Sequence, residues 1–139
     1  MENISFFSED IDFQINNVEN NARWINSIIS NYSKISGELT YIFCSDDYLL
    51  KLNIEHLNHD TLTDIITFDY TKTGIISGDI FISIDRVTEN AKSFLVPFQE
   101  ELNRVMAHGV LHLIGFKDKT SEEKKKMREA ENLALENLK

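Results

Sequence analysis

His108 and His112 stand four residues apart, a spacing that puts both imidazoles on one face of a helix, where they can reach one ion. Gly115 follows as the residue best suited to the left-handed turn that stops a helix. Three residues later Asp118 can fold back as a third ligand. Two imidazoles and a carboxylate leave a divalent ion one position for water or substrate, and an open position marks a catalytic zinc site. A lone histidine on an apolar helix is usually a hydrogen-bonded core residue. Here the offsets of Gly115 and Asp118 favour a metal.

Zinc proteases share this spacing, and some add a third ligand after a glycine turn. Their motif is His-Glu-x-x-His, with the glutamate as general base. Gly109 occupies that position and has no side chain to take a proton. The ligand scaffold is kept without the protease's base.

The elements that must position these residues follow from periodicity. Residues 3–7 and, as a second candidate, 11–15 read as strand. An amphipathic helix runs from about Val18 to Tyr32, with Val18, Ala22, Ile25, Ile29 and Tyr32 on one face and Trp24 as packing. Leu39 to Cys44 is a strand, and Ser45 caps a helix whose first turn holds Asp46 and Asp47 as helix-start acids. Asp64 to Phe68 and Ile75 to Ile84 are β-branched strands joined by the turn-prone Tyr70-Thr71-Lys72-Thr73-Gly74. A helix from about Asp85 to Phe94 precedes Pro97, which starts the histidine helix with Gln99, Glu100 and Glu101 in its first turn. From Val105 to Ile114 that helix is apolar nearly all round apart from its histidines. Thr120-x-x-Glu123 makes a capping box for a last helix with Met127, Ala130, Ala134 and Leu138 facing inward. The expected fold is α+β: a small mixed β-sheet flanked by helices, with a zincin-like metal-binding helix and turn.

At 139 residues and 42% hydrophobic content, with no repeat or linker, the chain is expected to form a single domain over 1–139. No apolar run approaches a membrane span, the amino terminus lacks a basic signal-peptide head, and the lone Cys44 fits a reducing compartment, so a cytoplasmic location is expected. Cys44 ends an apolar run and reads as packing. The formal charge of -9 opposes binding to phosphates. Lys117, Lys119, Lys124, Lys125, Lys126 and Arg128 gather after the second histidine, with Glu122, Glu123 and Glu129 among them, and read first as a solvated helix face.

His108-Gly109-Val110-Leu111-His112-Leu113-Ile114-Gly115 resembles the His-Gly-x-Leu-His-Leu-x-Gly-Tyr-Asp-His motif of the YbeY family of ribosomal-RNA maturation factors. Leu52-Asn53 with Thr63-Asp64-Ile65-Ile66-Thr67-Phe68 is similar to its Leu-Asn…Pro-Thr-Asp-Val-Leu-Ser-Phe block, and Gly78-Asp79-Ile80-Phe81-Ile82-Ser83 to its Gly-Asp-Ile-x-Ile-Ser block. These blocks span Leu52 to Asp118, about half the chain. The resemblance implies a single-strand-specific, zinc-dependent endoribonuclease with one Zn2+ per chain, acting in 16S rRNA 3'-end maturation and ribosome quality control. It implies a ribosomal RNA precursor as substrate and the ribosomal small subunit or its proteins as partners, with no DNA or membrane partner. Asp64 and Asp79 become candidate catalytic residues beside the ligands His108, His112 and Asp118. A ribosome-associated binding factor with a structural metal, and a metalloprotease lacking its glutamate, remain alternatives.

The chain departs from the family in several places. The third histidine falls at Asp118, the arginine before the Thr-Asp block at Leu57, the neighbouring tyrosine at His56 and the proline at Leu62. His56 and His59 lie on a polar stretch and read as exposed. A carboxylate in place of a neutral imidazole lowers the charge of the site by one unit and weakens the ion as a Lewis acid. The pH–rate profile of this chain is therefore expected to rise later than that of a three-histidine relative; a rise at the same or lower pH contradicts an Asp118 ligand.

Overall fold

The structure is a computed structural model, and it describes residues 3–57 and 63–138. The elements in order are β1 (Ile4–Ser8), α1 (Val18–Asn31), β2 (Ile35–Cys44), α2 (Asp46–Leu57), β3 (Ile65–Asp69), β4 (Ile75–Ser83), α3 (Ile84–Phe94), α4 (Phe98–Ile114) and α5 (Ser121–Glu136). The strands form one mixed sheet in the order β1-β2-β4-β3. β1 and β2 pair in parallel, as do β2 and β4, while β3 runs antiparallel to β4 with Ile65 opposite Ile82. The expected α+β architecture is the one observed.

Strand alternation divides the sheet into two faces. Leu39, Tyr41 and Phe43 of β2 and Ile76, Ile80 and Ile82 of β4 join the main core with α1, α4 and α5. Cys44, Ile66, Phe68 and Phe81 turn the other way and pack with Tyr48, Leu49 and Leu52 of α2. Cys44 is thus packing, as its sequence context predicts, and burial pushes its thiol pKa up to about 12.

The capping chemistry acts as read. The Ser45 hydroxyl accepts from the Tyr48 amide. Thr120 and Glu123 form both halves of the capping box at the start of α5. Trp24 is buried in the core, where its indole N–H donates to the Ala134 carbonyl at 2.9 Å and ties α1 to α5.

Three expectations need correction. Residues 11–15 are irregular rather than a strand. Their alternation drives Ile11, Phe13 and Ile15 into the core as plugs, an outcome that a period-2 pattern shares with a strand. Leu138 is 39% exposed because α5 ends at Glu136 and leaves no further turn to press it inward. Val18, the first residue of α1, is also largely exposed. Among the described residues, no helix is long and apolar enough to cross a membrane.

α4 is the central helix, touching α1, α3, α5, β3 and β4. It lies close on the sheet because two facing positions lack a side chain. A Cβ on Gly109 would sit 2.9 Å from both Ile65 and Ile80 side chains. A Cβ on Gly78 would sit 2.4 Å from the Phe68 carbonyl oxygen and 3.1 Å from Leu113. The Tyr41 hydroxyl, buried beneath α4, donates to the Met106 carbonyl at 2.8 Å and fixes the helix against β2. The Gly78 clash is with backbone, which cannot swing aside. Gly78→Ala is therefore expected to lower unfolding free energy by about 2 kcal/mol, as overpacking does in a filled core. Urea unfolding checks this, and an unchanged midpoint would refute the crowding at Gly78.

Candidate active site

The histidine face of α4 carries more than histidines. Glu101, Arg104, His108 and His112 recur at helical spacing and all line one pocket of about 470 Å³. Pro97 caps the helix, its carbonyl accepting from the amides of Glu100 and Glu101. At the other end Gly115 adopts φ 130°, in the region that favours glycine, while the amides of Gly115 and Phe116 both return to the Leu111 carbonyl. This turn brings Asp118 back, with Oδ2 at 3.3 Å from His108 Nε2.

The other ring nitrogen of His108 is held from α5. Nδ1 lies 2.7 Å from Oε2 of Glu131, which is 6% exposed. Arg104 donates to the second Glu131 oxygen at 3.0 Å and to Asn132 Oδ1 at 2.9 Å. Burial opposes ionisation of Glu131, but the hydrogen bonds from His108 and Arg104 outweigh it and lower its pKa. Burial likewise opposes the His108 cation, and the Glu131 hydrogen bond and charge, with Asp118 and Asp64 nearby, outweigh it and raise its pKa. A neutral His108 donating Nδ1–H to Glu131 presents the Nε2 lone pair toward Asp118.

The donor chemistry fits a divalent ion. Ligand atoms about 2.0 Å from a tetrahedral ion are roughly 3.3 Å apart, and the His108–Asp118 edge is 3.3 Å. His112 is exposed, with its ring parallel to His108 and the centroids 6.5 Å apart. Among the described residues, no three His, Cys, Asp or Glu side chains are already closed round a common point. The set is an edge formed by His108 and Asp118, with His112 free on the next turn to complete it.

Asp64, just before β3, joins this pocket. Its backbone carbonyl accepts from the Ser83 amide, and the Asn90 amide reaches its carboxylate at 3.5 Å. Burial raises its pKa against the opposing pull of His108. Asp79 does not join. It alternates with Gly78 and Ile80, which face α4, so it lies on the α2 face of the sheet opposite Phe68. There it accepts from the Tyr70 hydroxyl at 3.3 Å.

Asp46 accepts from Ser83 Oγ at 2.6 Å and from Arg86 at 2.8 Å, in keeping with a helix-start role. His56 is exposed and meets Phe68 edge-on, while His59 and Leu62 lie outside the described residues.

Glu101, Arg104 and Glu131 belong to none of the motif blocks, yet all three line the pocket. Glu101, read as a first-turn acid, is only 5% exposed, and burial and the nearby Asp64 raise its pKa. Its offset of seven from His108 was the available signal. Glu131 lies four residues after inward-facing Met127, a polar residue on a buried stripe.

The sequence model of the family described as Endoribonuclease YbeY matches residues 3–139. An endoribonuclease YbeY of Flavobacterium johnsoniae is 51% identical over 126 residues, covering 91% of each chain. That of Flavobacterium psychrophilum is 52% identical over 129 residues, covering 93% of this chain and 92% of its own. The solution structure of a Thermotoga maritima protein superimposes with a TM-score of 0.69 at 26% identity, over 97% of this chain and 88% of that one. With a family match along nearly its whole length and half its residues shared with these relatives, the chain belongs to the endoribonuclease YbeY family.

Proposed function

We propose that this chain is a single-strand-specific, zinc-dependent endoribonuclease that matures the 3' end of 16S rRNA and serves ribosome quality control in the cytoplasm, as one domain over 1–139. Its partners on this reading are a ribosomal RNA precursor and the small subunit or its proteins. The observation that carries the reading is the His108–Asp118 edge at the mouth of a pocket that also holds Asp64, His112 and Arg104. Family membership supports cleavage of RNA. Gly109, closed against Ile65 and Ile80, counts against a protease, since no general base fits there.

His108, His112 and Asp118 would hold one zinc ion, which would polarise a phosphodiester oxygen and activate a water at the open position. The protein's part is to orient and to manage charge. Glu131 fixes the ring and tautomer of His108, and Arg104 keeps the buried Glu131 carboxylate paired. Asp64, with its raised pKa and its place in the pocket, is a carboxyl group suited to taking up or giving a proton. Asp79, on the far face of the sheet, receives no step.

Purified protein is expected to hold about one zinc per chain, and the double variant His108→Ala/His112→Ala and Asp118→Ala are expected to lose zinc and single-stranded RNA cleavage together. Metal retained without cleavage of RNA by the wild type would favour a binding factor, and native protein without metal would remove the premise. Glu131→Gln keeps the shape but loses the charge that holds His108. Its zinc affinity, measured by competition with a chelator, is expected to fall roughly 10- to 100-fold, as for other partners behind a metal-ligating histidine; unchanged affinity would show that Glu131 does not orient the ligand.

A further inference from the structure

A chain of net charge -9 that cuts RNA must place its few free cations well. At physiological salt, exposed charges act over about 8 Å, so the charge around the pocket counts for more than the total. Of the pocket's three cations, Arg104 is spent on Glu131 and Asn132. Arg128 is 59% exposed, and its nearest carboxylate oxygen, on Glu131, is 3.8 Å away, too far for a hydrogen bond. Lys119 is exposed in the turn after Asp118, and among the described residues its ammonium has no ion pair. Neither cation makes a side-chain hydrogen bond among the described residues, and Glu131 keeps its closer partners Arg104 and His108 when Arg128 turns to a ligand.

The same pocket has one aromatic wall. Phe94 is the last residue of α3, where Leu95 stops the helix in the left-handed conformation with φ 56°. Phe94 is 59% exposed and belongs to neither apolar cluster, so core packing does not account for it. An exposed aromatic face beside exposed cations, one unpaired among the described residues and one in a long 3.8 Å ion pair, is an arrangement that binds unpaired nucleotides, bases on the ring and phosphates on the charges.

We propose that Lys119, Arg128 and Phe94 form the single-strand subsite of the pocket: the two cations take backbone phosphates on either side of the cleaved bond, and Phe94 stacks a neighbouring base. This rests on the endoribonuclease reading for its substrate. It assigns phosphate binding to the turn after Asp118 and to α5. A paired base cannot reach Phe94 without leaving its stack, which gives the site its preference for single strands.

The test is fluorescence anisotropy of a short labelled single-stranded RNA on the metal-loaded protein in the cold, over a salt series, with cleavage of the same RNA assayed in parallel. Arg128→Gln and Lys119→Gln are each expected to weaken binding at low salt and to reduce the slope of log affinity against log salt by about 0.7, one phosphate contact to a single strand. Phe94→Ala is expected to weaken binding roughly tenfold at every salt concentration with the slope unchanged, because stacking releases no counterions. Lys51→Gln, on the opposite face of the sheet, removes the same charge and is the control, expected to change neither. Slopes for the two rim variants equal to that of Lys51→Gln, full affinity in Phe94→Ala, or no RNA binding by the wild type would each overturn the subsite. The expected binding pattern without cleavage would uphold the subsite and overturn the endoribonuclease reading.

Discussion

The close seating of α4 on the sheet is the constraint from which the site follows. Gly109 in the helix and Gly78 in β4 remove the two side chains that would hold the layers apart. Leu113 then packs directly over Gly78, and Ile65 and Ile80 fill the space against Gly109. With the helix pinned there, its Glu101–His112 face lines a pocket beside the edge strand β3, and Asp64, just before that strand, lines the same pocket and feels the charge of His108. The glycine that denies this helix a protease's base is the same glycine that lets it lie in place.

Buried charge is tolerated because it is paired. Glu131 on α5 faces His108 and Arg104 on the preceding helix α4, and each Glu131 oxygen has a partner. Removing either partner would strand a carboxylate in the core, a cost of several kcal/mol. The network therefore couples the packing of α5 against α4 to the orientation of a candidate ligand. The last helix does more than cover the core: it carries the residue that points His108 at Asp118.

Electrostatics also reconciles an acidic protein with an RNA substrate. The pocket is lined by Asp64, Glu101, Asp118 and Glu131 against Arg104, Lys119 and Arg128. Glu131 is already matched by His108 and Arg104. Lys119, unpaired among the described residues, and Arg128, in a longer 3.8 Å ion pair with Glu131, complete the lining. The cationic run after His112, read along the chain as a solvated face, is divided by the fold: Lys119 and Arg128 reach the pocket, and Lys124 and Lys125 remain on open surface.

Local rules determined much of this protein from sequence alone. Helix periodicity put His108 and His112 on one face, Gly115 stopped the helix, and the Thr120–Glu123 box started the next, because each depends on residues within a few positions of one another. Strand alternation likewise marked Ile80 and Ile82 as core. Tertiary structure alone decided which strands are neighbours, that Ile11, Phe13 and Ile15 plug the core without pairing, and which of two similar aspartates enters the pocket. Asp64 and Asp79 both sit at β-strands in motif blocks, yet sheet register turns one toward α4 and the other away. Glu131 was beyond local reading for the same reason: it lies 23 residues from His108 and 27 from Arg104, and only the packing of α5 on α4 makes it their partner.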